Sequence, residues 1–176
     1  KALALDDAHG ESHAIRGLVL VLQRKHEQAL AAAQKAIDLA PNAADVVGIA
    51  GMVELLSDRP EPARRTAKRA LRLCPLPQVL PLNMLGVACR ELGLYDEGVA
   101  ALRQAVAVDP ELTTVRFALI SILLAAGLPD EARTEAKNLA EVDPRFSLEA
   151  YARALPFRDA EVNERVLKNL SEAGLI

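Results

Sequence analysis

The pattern of apolar and polar positions along the chain returns every 34 or 35 residues. Prolines mark the period at Pro41, Pro75, Pro110 and Pro144. Upstream of each, small or apolar residues recur at fixed offsets: Gly17, Gly51, Gly86 and Ile120, then Ala29, Ala63, Gly98 and Ala132, then Ala36, Ala70, Ala105 and Leu139. Small residues at fixed offsets let two helices approach closely, and a proline ends the second because it cannot continue a helix cleanly. Each unit therefore reads as a helical hairpin. The period predicts first helices over 11–23, 44–57, 79–92 and 113–126, and second helices over 27–39, 61–73, 96–108 and 130–142. At 1.5 Å per residue each is about 20 Å long. No strand is expected in the array. Ile120 takes a slot that is glycine in the other three units, so the last hairpin should be wider.

With the register set, both ends can be placed. Residues 1–9 align with the end of a second helix, as in "KAIDLAP" and "RALRLCP", and read as the tail of a truncated preceding repeat. Four repeats follow at 10–43, 44–77, 79–112 and 113–146. Beyond Pro144 the period stops. "FSLEAYARAL", "LPFRD" and "AEVNERVLKNLSEAGL" read as a short helix, a turn and an amphipathic helix, with Ser147 and Asp159 as N-caps and Gly174 at the C-terminal end. Terminal units of a solenoid need a more polar outer face, so 147–176 is expected to form a C-terminal cap.

Composition agrees with an all-α chain: 51% hydrophobic residues but only 3% aromatic, and no Trp. The net charge of −3 gives no reason to expect nucleic acid or an anionic membrane as partner. Cys74 and Cys89 form no CxxC pair, which suits a reducing cytoplasm, and no disulfide is expected between them. The longest mostly apolar run, Phe117 to Leu128, has 12 residues, short of the roughly 20 that span a bilayer. Neither a signal peptide nor a membrane anchor is expected in these residues.

Candidate chemistry is sparse. "DDAHGESH", Asp6 to His13, holds the side chains of a metal centre, but the register puts Asp6 to His9 in a turn and His13 against its partner helix. No metal and no cofactor are expected. All three histidines lie within the first 26 residues, away from both cysteines, and no GxGxxG or GxxxxGK[ST] is present, so the segment reads as no enzyme. "RRTAKRALR", Arg64 to Arg72, lacks interleaved aromatics for base stacking and reads as a solvated convex face.

"LNMLGVACRELGLYDEGVAALRQAVAVDP", Leu82 to Pro110, resembles the tetratricopeptide repeat (TPR) family, with Leu82 in the Trp slot, Leu85 and Gly86 as the Leu-Gly pair, Cys89 in the Tyr slot, Gly98 for Ala and Leu102 for Phe. The resemblance implies a right-handed superhelix, a TPR solenoid with a C-terminal capping helix, whose concave face is lined by first helices. The ending "LPFRDAEVNERVLKNLSEAGL" is similar to the C-terminal TPR region of bacterial class III adenylate/guanylate cyclase signalling proteins, and also to TPR tails of winged-helix regulators. That implies a cytoplasmic regulatory array, with the cyclase chemistry outside these residues.

The family's groove positions fall on Ile15, Leu18 and Leu22 in the first repeat and on Ile49, Met52 and Leu56 in the second. In the third they fall on Asn83, Met84, Val87 and Arg90, and in the fourth on Phe117 and Ser121. The groove is expected to take a protein or peptide, including a second copy of the chain; the alternatives are a small ligand or peptide that the array senses, or internal filling by a capping segment that folds back. A uniformly apolar groove favours a protein, and a polar cluster at its centre a small ligand.

Overall fold

The computed structural model describes residues 9–74 and 76–176, and the tail read at 1–9 falls almost wholly outside them. Four hairpins follow one another: α1 (Gly10–Leu22) with α2 (His26–Leu39), α3 (Ala44–Leu56) with α4 (Pro60–Leu73), α5 (Val79–Glu91) with α6 (Tyr95–Val108), and α7 (Thr113–Ala125) with α8 (Pro129–Val142). Two further helices, α9 (Leu148–Ala154) and α10 (Ala160–Glu172), close the array. Among the described residues no strand forms.

The first helices α1, α3, α5 and α7 pack side by side, and each second helix packs on the first helix of the next unit. Burial follows the small-residue register. Ala29, Ala63 and Ala132 are wholly buried where the second helices meet their partners, as are Ala36, Ala70 and Ala105. At Gly86 a Cβ would stand 2.3 Å from Leu102 Cγ, so the third hairpin closes to a distance only glycine allows. Ile120 fills the equivalent slot completely buried, and α7 touches α8 more sparsely than first and second helices touch in the other hairpins.

Each hairpin turn passes through one left-handed residue. It is Gly93 and Gly127 in the third and fourth units, but Arg24 and Asp58, both at φ 60°, in the first and second. A non-glycine residue there is strained by about 1 kcal/mol.

The cap is tied down by packing and by side-chain capping. Ser147 Oγ accepts from Ala150 N at 3.0 Å, and an Asp159 carboxylate oxygen accepts from Glu161 N at 2.9 Å. Gly174 ends α10 at φ 68°. Tyr151 of α9 packs against Phe117 of α7 at 4.7 Å and against Phe146 at 5.2 Å between ring centroids. Val162, Val166 and Leu170 of α10 are buried in the same core as residues of repeats two to four, while the first repeat and the facing side of α3 form two smaller clusters.

Candidate interaction groove

The face lined by first helices is not open along its length. Between α9 and α10 the chain runs as Leu155-Pro156-Phe157-Arg158, and Pro156, which cannot donate to a helix, keeps it extended. This segment lies in the groove. Arg158 N donates to Leu56 O, at the C-terminal end of α3, at 2.8 Å. The Arg24 guanidinium donates to Phe157 O from the strained turn of the first hairpin. Arg158 reaches Glu27 at 2.7 Å. Phe157 itself is 5% exposed, with the Arg90 guanidinium carbon 6.0 Å from its ring centroid.

His26 lies close to this clasp and meets Ser57 Oγ at 3.3 Å. Burial lowers its pKa below the ordinary histidine value, and the charges of Arg158 and Arg24 lower it further.

Between the segment and the first helices a cavity of about 180 Å³ remains. Met52, Leu56, Asn83, Met84, Val87, Arg90 and Phe117, all groove positions of the sequence, line it together. Leu55, Thr114 and Ala118 join them, and the cap supplies Tyr151, Leu155, Pro156 and Phe157. The other groove positions lie elsewhere. Ile15 and Leu22 are 56% and 69% exposed at the N-terminal end, Leu18 and Ile49 are half-buried, and Ser121 is buried behind Arg90. The cap residues lie outside the repeat register, because they follow its last proline.

The cavity wall is mostly apolar; besides Thr114 and Tyr151, its polar side chains are Asn83 and Arg90 of α5. Arg90 is 8% exposed; its Nε donates to Glu91 Oε1 at 2.7 Å and its Nη1 to Ser121 Oγ at 2.6 Å. Glu91 also receives Arg165 of α10. Nη2 of Arg90 and Oδ1 of Asn83 are buried without a hydrogen-bond partner.

The basic run is not simply a solvated face. Arg64 Nη2 and Lys68 Nζ hold Glu97 of α6 at 2.6 and 2.5 Å, joining neighbouring repeats, while Arg65 stays exposed beside Glu61. Arg69 donates to Pro41 O. Among the described residues no group of three or more His, Cys, Asp or Glu could hold a metal ion. Asp6 and Asp7 lie outside them; His13 is buried in the first hairpin. Among the same residues no helix is long and apolar enough to cross a membrane.

The fold and groove define an α-solenoid of helical hairpins whose concave face is partly filled by its own C-terminal cap. Tetratricopeptide repeat models match residues 15–76 and 90–155, most of the chain. The chain belongs to the tetratricopeptide repeat family. It is similar in structure to YrrB, described as a TPR protein with an unusual peptide-binding site, at TM-score 0.62 and 24% identity over 98% of this chain and 88% of that one. It is similar also to PilW, a widely conserved type IV pilus biogenesis factor, at TM-score 0.75 and 17% identity over 97% and 80% of the two chains. A third likeness is to the APC/C hetero-tetramer Cut9–Hcn1, at TM-score 0.70 and 17% identity over 93% of this chain and 30% of that one. At these identities the likeness is one of fold. No curated protein matches the sequence.

Proposed function

We propose that this chain is a protein-interaction and oligomerisation module, the cytoplasmic regulatory array of a larger bacterial adenylate or guanylate cyclase signalling protein. The observation that carries the interaction reading is an apolar stripe along the first helices. It runs from Ile15 and Leu22, more than half exposed, through half-buried Leu18, Ile49 and Met52 to Val87. Exposed apolar surface of this continuity marks an interaction site on a soluble protein. The occupant that suits a signalling protein with paired catalytic domains is a second copy of the chain, seated at the N-terminal end that the cap leaves open. The cyclase context rests on the "LPFRDAEVNERVLKNLSEAGL" ending. Light scattering over a concentration series tests the interface. A self-association that Ile15→Glu plus Leu22→Glu abolishes, with helicity by circular dichroism unchanged, supports it. A wild-type monomer up to about millimolar concentration rejects the second copy. Coding sequence upstream without a cyclase catalytic domain rejects the signalling context.

A further inference from the structure

We propose that the cavity between α5 and the Leu155–Phe157 segment is a binding site for a small amphiphilic monocarboxylate, with an apolar or aromatic body and a hydrogen-bond donor at its far end. This goes beyond the protein partner and does not depend on it.

The argument begins with charge. Arg90 and Arg165 share a single carboxylate, Glu91, so the three side chains carry one uncompensated positive charge. Arg90 is more than nine-tenths buried and its Nη2 has no partner. A buried guanidinium with an unmade hydrogen bond is costly, and an anionic acceptor is the group that completes it. Asn83, whose Oδ1 is the second orphan, lies seven residues earlier on α5 and lines the same cavity. Seven residues are two helical turns, so both groups stand on one face, about 10 Å apart along the axis before the arginine leans back towards the N-terminus. As an acceptor, Asn83 Oδ1 asks for an N–H or O–H.

Between the two polar ends the walls are Met52, Leu56, Met84, Val87 and Phe117. An apolar cavity of roughly 150 Å³ is large enough for benzene. About 180 Å³ therefore admits an aromatic ring with a few further atoms. Apolar walls with a few convergent polar groups are the usual make-up of a small-ligand pocket. A ligand here would touch both the repeats and the cap, so its binding would hold the Leu155–Phe157 segment in the groove.

A second cavity of about 170 Å³ lies on the other side of Arg90, against Tyr95, Ser121, Arg165 and Asn169. Asn83 does not line it, and the arginine groups around it already meet Glu91 and Ser121.

The probe is 3-(4-hydroxyphenyl)propanoate, whose phenol can reach Asn83 while its carboxylate meets Arg90. The control is 3-(4-hydroxyphenyl)propan-1-ol, of the same shape without the charge. The chain has two methionines, Met52 and Met84, and both line the cavity, so ¹³C-methyl methionine spectra of the full chain report on this site. The expected result is a saturable shift of both methyl signals, with the carboxylate binding at least about tenfold more tightly than the alcohol. Arg90→Met should abolish that preference, and Asn83→Leu should weaken both probes alike. The comparison of the two probes on the wild-type chain decides the matter even if Arg90→Met does not fold. Equal affinities of the two probes, or no methyl shift at millimolar probe, each overturn the proposal.

Discussion

Replacing Phe157 by Ala removes the side chain that anchors the C-terminal segment in the groove. Besides the hydrogen bonds to Leu56 O and to Phe157 O, three side-chain contacts hold this segment, and their magnitudes differ. Phe157 is 5% exposed in an apolar wall, and truncating a buried phenylalanine costs about 3–5 kcal/mol. The Arg90 guanidinium, at 6.0 Å on the outer limit of a contact with the ring face, adds about 1 kcal/mol. The Arg158–Glu27 pair, with side chains 47% and 73% exposed, is screened and contributes about 0–1 kcal/mol. Packing therefore dominates the clasp, and the ion pair sets its register.

The Arg158 amide, bonded to Leu56 O, is the local reporter. In Phe157→Ala a loss of about 3 kcal/mol raises the opening equilibrium by about a hundredfold. Hydrogen exchange at Arg158 should accelerate by that factor while the central amides of α3 and α5 keep their protection, because neighbouring units of a solenoid open locally. Glu27→Gln should change the same rate by less than about fivefold. If Glu27→Gln accelerates exchange as much as Phe157→Ala, the segment is held by charge and this reasoning fails.

Four further outcomes follow. Gly98→Ala should destabilise by about 2 kcal/mol in urea unfolding, because its Cβ would stand 2.9 Å from Cys89 Cβ and 3.0 Å from Gly86 O, a backbone atom that cannot step aside; a neutral or stabilising result would show a hairpin looser than described. His26 has a folded pKa below its unfolded one, so the unfolded chain binds the proton more readily and stability should fall as pH drops from about 6.5 towards the folded value. Denaturant midpoints across that window should decline in the wild type and stay flat in His26→Gln. The Cys89 thiol is pushed up to about 11, chiefly by burial and then by the Glu97 charge, so a thiol reagent at pH 8 should titrate Cys74 rapidly and Cys89 only on unfolding. Arg24→Gly should relieve the left-handed strain of the first turn while releasing Phe157 O, giving a chain of similar melting temperature whose Arg158 amide exchanges faster.

What the sequence made legible follows the distance over which its period acts. The helices lie within about a residue of the spans read from it, because every boundary was set by a proline, a small residue or a turn recurring at 34 or 35 residues. The polar links between repeats belong to the same register. Arg64 and Glu97 are 33 residues apart, His26 and Ser57 31, and Arg90 and Ser121 31, so each pairs one unit with the next at slightly less than one period. A same-face pair at that separation is readable in any repeat array, and the Glu97 partner of the basic run could have been found in this way. The clasp of the cap has no such rule. Arg24 reaches Phe157 across 133 residues and Glu27 reaches Arg158 across 131, and those separations depend on the curvature of the whole solenoid rather than on any one unit. One signal did point there. The chain has five aromatic residues, and three of them, Phe146, Tyr151 and Phe157, follow the last proline of the period and belong to the core cluster or pack against it where the cap docks. In an array whose best copy holds Leu82, Cys89 and Leu102 in the aromatic slots, rings gathered past the last proline have no equivalent positions within the period. A large apolar side chain without a place in its own repeat buries itself in the nearest apolar face that the repeats leave uncovered, which here is their own groove.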